Sequence, residues 1–108
     1  MAHYLLTASY TAGAWAAQIK NPQDRLEVVK PMFDAVGGSI ESAYMSFGEN
    51  DLVCIVQFPD NISAASIAMT LAAGGGVTSV KTTPLISIED GMEAIKKAGS
   101  LSYTPPGS

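Results

Sequence analysis

The chain is poor in the residues that metal and redox chemistry use most, with one cysteine, Cys54, and one histidine, His3. A lone thiol cannot close an intrachain disulfide, and in the middle of an apolar run it reads as a small buried hydrophobe. One Cys and one His are too few for a transition-metal site within one chain. Basic residues are also scarce, six against ten acidic for a net charge of −4, and Lys96-Lys97 is the only adjacent basic pair. A nucleic-acid or anionic-membrane surface needs a basic patch, so neither partner is expected. No apolar run approaches the roughly 18–20 residues of a membrane span. The N-terminus runs straight into a strand pattern, without the basic and then apolar regions of a secretory signal. These absences lead to the expectation of a soluble cytoplasmic protein.

Catalytic signatures are missing as well. Gly74-Gly75-Gly76 follows a helical pattern instead of preceding one, so it offers no helix N-terminus to a phosphate and reads as a stop signal. No Ser-His-Asp or Cys-His spacing stands out, and no cofactor is called for.

What is present is a core. Hydrophobic residues make up 47% of 108 residues, enough for one domain (residues 1–99), followed by a Pro-rich tail (residues 100–108) that is flexible or docked on a partner. The centre of the pattern is Ser39–Phe58, two β-rich runs around the polar turn Gly48-Glu49-Asn50-Asp51, which reads as a hairpin. Residues 3–10 form the first strand. A short helix is expected over 12–20, and a second begins at Asn21-Pro22 with Pro22 in its first turn. In that helix Leu26, Val29, Phe33 and Val36 recur at helical spacing, Pro31 should bend or locally break it, and Gly37-Gly38 ends it. Asp60 is a good N-cap for an Ala-rich helix over 62–73. Val77–Pro84 is a fourth strand, and Ile88–Ala98 a final helix.

The order β-α-β-β-α-β plus a C-terminal helix is the ferredoxin-like α+β arrangement, an antiparallel sheet with helices on one face. If Phe47 pairs with Leu52, one hairpin face carries Ala43, Met45, Phe47, Leu52, Cys54, Val56 and Phe58, all apolar. The other carries Ser42, Tyr44, Ser46, Val53, Ile55 and Gln57. The first face suits helices. The second is too apolar for open water and too polar for a plain core, which points to cover by a second subunit, with room for a pocket.

An ordered set of motifs then resembles the GYD-domain family, within the dimeric α+β-barrel superfamily. It comprises Tyr10-Thr11-x-Gly13 after the first strand, Arg25 near the start of the main helix, and Gly37-Gly38 before the second strand. Gly48-Glu49-x-Asp51, Pro59-Asp60, the Ala-rich helix with its glycine stop and the Thr-rich fourth strand follow. The resemblance spans residues 3–98, and departs from the motif where Asn50 takes the aromatic position. A tight turn tolerates Asn there, because Asn accepts a left-handed backbone. The resemblance implies a homodimer, or a higher even-numbered oligomer, with two sheets facing each other. The family itself has no generally assigned activity. In several superfamily relatives small molecules are processed between sheet and helices, by cofactor-free oxygenation, isomerisation or dehalogenation.

Each candidate for chemistry has a plainer reading beside it. Asp51 is a general base at a pocket edge, or ties its own turn through backbone N–H groups, the favoured alternative. His3 is an acid/base group or a surface or interface residue. Lys81 interrupts a Val/Thr strand. Pointing inward it binds a carboxylate, and pointing outward it guards an edge against aggregation. Tyr10, Trp15, Lys20 and Arg25 around the first helix form an aromatic and cationic lining for an anionic or aromatic small molecule, or pack. Tyr44 and Ser46 join the ligand-binding candidates from the mixed hairpin face. An enzyme requires Asp51, His3 or Lys81 to converge on a pocket with Tyr44 or Tyr10. The alternative is a non-catalytic binding or assembly module.

Overall fold

The computed structural model describes residues 1–107. Its elements are β1 (Ala2–Tyr10), α1 (Ala12–Lys20), α2 (Arg25–Ala35), β2 (Ser39–Met45), β3 (Leu52–Phe58), α3 (Asn61–Ala73), β4 (Val77–Leu85) and α4 (Ile88–Ala98). The strands form one sheet in the order β2-β3-β1-β4, with every neighbouring pair antiparallel. This is the ferredoxin-like α+β topology expected from the residue pattern.

Alternation along β1 assigns the two faces of the sheet. Tyr4, Leu6 and Ala8 are buried, as are Cys54, Val56 and Phe58 opposite them on β3. Phe33 of α2 stacks on Phe58 with ring centroids 5.3 Å apart, and Ala64 and Ile67 of α3 close the same core. The small side chains of α3 let its axis approach the sheet. The Tyr4 hydroxyl donates to Asn61 Oδ1 at the start of that helix. Gly38 is needed by close approach: a Cβ there would lie 2.6 Å from the Phe58 ring. Gly37 is needed by conformation, ending the α2 segment at φ 75°.

Two local expectations, on Pro22 and on the hairpin turn, are corrected. Pro22 is not in the first turn of α2. Asn21 caps the end of α1, and Asp24 caps the start of α2 by accepting from the Leu26 N–H. That side-chain acceptor outweighs the preference of proline for a first turn. Pro31 lies within α2 without ending it, on the exposed side, where the missing N–H bond is tolerated. The hairpin turn is longer than four residues. Met45, not Phe47, pairs with Leu52, and Ser46–Asp51 form the loop, with the Ser46 N–H donating to the Asp51 carbonyl. A shift of two residues leaves every face assignment unchanged, because side chains alternate with period two. Phe47 itself is fully exposed. Among the described residues no residue other than glycine has a positive φ, so Asn50 does not use the left-handed backbone.

The opposite face of the sheet carries Leu5, Thr7, Val53, Ile55 and Lys81, and no helix of the chain covers it. α4 is almost free of the sheet and of the other helices. The Cα radius of gyration is 17.5 Å, against about 13 Å for a compact chain of this length. The excess reflects α4 and the residues after it, which project from the body. The expected tail has no helix or strand as far as it is described, and its last residue, Ser108, lies outside the described residues.

Candidate functional site

A cavity of about 610 Å³ lies between the apolar sheet face and the helices. Its floor is Leu6, Ala8, Leu52 and Cys54, and α2 contributes Leu26, Val29 and Phe33. Ala14, Ala17 and Gln18 of α1 line the opposite wall. The short side chains of α1 and the three-residue glycine run at the end of α3 keep these helices from filling the space. Polar groups gather at the mouth: Lys20 and Asn21 at the end of α1, and Gln23 and Arg25 entering α2. A smaller depression of about 280 Å³ adjoins it, between Arg25 and the β2 edge at Tyr44 and Met45.

Tyr10 stands at the junction of β1 and α1 and lines both cavities. Burial pushes its phenol above the ordinary value. Arg25 opposes that shift, while Cys54 and Asp51 add to it. Burial likewise raises the Cys54 thiol. Both groups therefore carry their protons at neutral pH, when neither is a strong base or nucleophile. Trp15 lies behind Tyr10, edge to face, with ring centroids 5.3 Å apart.

Asp51 ties this corner together. Its Oδ2 accepts from the Tyr10 N–H at 2.8 Å and from the Trp15 indole N–H at 3.3 Å. Its own N–H donates to the Ala8 carbonyl at 2.9 Å, and Ser9 Oγ donates to the Glu49 carbonyl at 3.4 Å. The carboxylate thus braces the β1–α1 junction across the sheet and does not tie its own turn. Local sequence could not show this, since Tyr10 and Trp15 lie about forty residues away along the chain.

The other candidates separate. His3 points to the open face, where its Nε2 is 3.5 Å from Glu41 Oε2. Lys81 is opposite Thr7 on that same face. Ala8, where Asp51 is attached, lies five residue steps along β1 from His3, a span of about 17 Å. Asp51, His3 and Lys81 therefore do not converge on one site. Of the ligand-binding candidates, Tyr10, Lys20 and Arg25 line the main cavity, and Trp15 supports it from behind. Tyr44 borders only the smaller depression, and Ser46 reaches neither. The residue pattern had not marked Gln18, Gln23 or the Cys54 floor. The one available signal was the set of small residues Ala12, Gly13, Ala14, Ala16 and Ala17 around Trp15, which leaves space where bulky residues would fill it.

Fold and cavity together define a ferredoxin-like α+β protein with an internal cleft between sheet and helices. The GYD domain family model matches residues 4–95, and the chain belongs to that family. No curated protein matches the sequence. Among solved structures, "crystal structure of FFRP-DM1" is similar with a TM-score of 0.52 and 16% identity, covering 80% of this chain and 100% of that one. At that identity the likeness shows the fold alone.

Proposed function

We propose that this GYD-domain chain is a cytoplasmic, homo-oligomeric small-molecule-binding protein whose ligand, a small anionic or aromatic metabolite, enters the cleft between sheet and helices. The observation that carries the reading is the cavity itself. It has an apolar floor, a polar mouth and a volume of about 610 Å³, within the range of small-molecule sites. Binding without turnover is the form adopted. The three catalytic candidates lie apart, and the two titratable groups inside, Tyr10 and Cys54, are held protonated by burial. Native mass spectrometry under gentle conditions tests it. An even-numbered assembly with a reproducible added mass is expected, and a monomer would overturn the oligomeric part.

A second reading, a non-catalytic assembly module, draws on a different observation. α4 exposes Ile88, Met92 and Ile95 on one side while Leu85 and Ile86 lead into it from the open sheet face. Helices of 11 residues are marginal alone in water. Cover from another copy would stabilise both surfaces. An even-numbered assembly that never carries added mass and binds no small molecule favours this reading.

A further inference from the structure

The charges at the cavity mouth are one-sided in a chain that is acidic overall. Lys20 and Arg25 both line it, and none of its lining residues is Asp or Glu. Among the described residues, ion pairs join His3 to Glu41 and Lys96 to Glu93, and no carboxylate lies within ion-pair distance of Lys20 or Arg25. Lys20 has a plain explanation, because a cation in the last turn of α1 complements the helix dipole. Arg25 has none of that kind. It is the first residue of α2, where the dipole disfavours positive charge. Its one polar contact is a long donation from Nη1 to Gln23 Oε1, at 3.4 Å. The neighbouring Asp24 carboxylate is engaged as the helix cap, accepting from the Leu26 N–H at 3.0 Å. A guanidinium that makes only one long protein contact thus stands where an apolar cavity opens to solvent.

We propose that the cavity takes an amphipathic organic anion, with a carboxylate or similar head held at the mouth by Arg25 and Lys20 and an apolar body lying on Leu6, Leu26, Val29 and Leu52. This deepens the binding reading above and rests on it. Free inorganic anions gain nothing from the apolar floor, and uncharged polar metabolites such as sugars would leave their hydroxyls unpaired against it. The planar fork of Arg25 suits a carboxylate in a two-point contact, and Lys20 adds a mobile second charge.

The test uses the full-length protein with decanoate and decanamide, which share an alkyl chain and differ in head charge, each below its micelle concentration. Calorimetric titration measures affinity. The emission of Trp15, the single tryptophan, reports locally because its ring meets Tyr10 in the cavity wall. Decanoate is expected to bind about tenfold tighter than decanamide, the scale of one charge-assisted contact. Arg25→Gln should remove most of that preference and Lys20→Gln a smaller share, each weakening decanoate more than decanamide. Equal affinities in the unsubstituted protein would overturn the anionic head while leaving the cavity reading intact. No saturable binding of either probe would overturn both. Ala17→Phe, which places a ring in the mouth from an exposed position on α1, should abolish binding. Undiminished binding by that variant would mean that the probes sit elsewhere, on the apolar side of α4 first, and would overturn the placement.

Discussion

The two faces of the sheet solve opposite problems. On the inner face, β1 and β3 present Tyr4, Leu6, Cys54, Val56 and Phe58, and α2 and α3 of the same chain cover them. Packing there is dense around Phe58 and loosens toward Tyr10, where small residues on α1 leave the cavity. On the outer face Leu5, Val53 and Ile55 alternate with Thr7, Gln57 and Lys81, and no element of the chain lies over them. The same alternation of side chains built both faces, so the difference lies in what each strand places on its second side. The inner face is covered by helices of its own chain, with a gap left beside α1. The outer face has no such cover among the described residues.

That contrast can be broken first at the inner face. Phe58 is fully buried and contacts both Tyr4 and Phe33. Phe58→Ala should cost about 3–5 kcal/mol in urea unfolding, with the size of the assembly unchanged. Gly38→Ala comes next at about 1–3 kcal/mol, because the new methyl meets the same ring and neither side has room. An unchanged urea midpoint in either variant would show that the inner packing is looser than the distances indicate.

Asp51 tests the corner between core and cavity. Asp51→Ala leaves the Tyr10 and Trp15 N–H groups without their acceptor. A loss of about 1–3 kcal/mol is expected, with a shift in Trp15 emission. A variant that keeps the emission of the unsubstituted protein would mean that the indole does not rely on this carboxylate. On the outer face, Ile55→Ser should change the stability of a lone chain little, since Ile55 is only half buried there. If that face pairs with another copy, sedimentation will show a smaller species, and the unfolding midpoint will fall as the protein is diluted. A smaller species for Ile55→Ser, absent for Phe58→Ala, would sharpen the comparison most directly.

The smallest effect concerns pH. Asp60 accepts from the Ser63 N–H at 2.8 Å as the cap of α3, and that hydrogen bonding holds its carboxyl below the ordinary value. A carboxyl with a lowered folded-state pKa adds stability above its unfolded pKa, and loses it as pH falls through the folded value. Asp60→Ala should therefore lower Tm slightly near neutral pH. The gap from the unsubstituted protein should close as pH drops below about 4. A gap that persists in acid would assign the effect to something other than this charge.

Much of the fold was legible in the residues because its determinants are local. Period-two alternation marked β1 and β3, Asp60 marked the start of α3, and Gly37-Gly38 marked the turn into β2. Faces survived even where the hairpin register was off by two, since only odd shifts exchange them. Pro22 misled because Asp24, two residues later, offered the better cap. The site was less legible. Tyr10, Lys20 and Arg25 could be grouped because they lie close in sequence, and that group did come together at the cavity. Asp51, His3 and Lys81 shared only chemical type, and the sheet distributed them over two faces and opposite ends.

By itself, then, the sequence determined the order of elements, the two faces of the hairpin strands and the Asp60 cap of α3, because each depends on neighbours within a few residues. Tertiary structure alone decided that Asp51 braces Tyr10 and Trp15, that small residues on α1 leave a cavity against the sheet, and that Arg25 stands at its mouth without a carboxylate partner. Those are relations between segments brought together only by packing. Their energies come from distances and burial that no local pattern encodes.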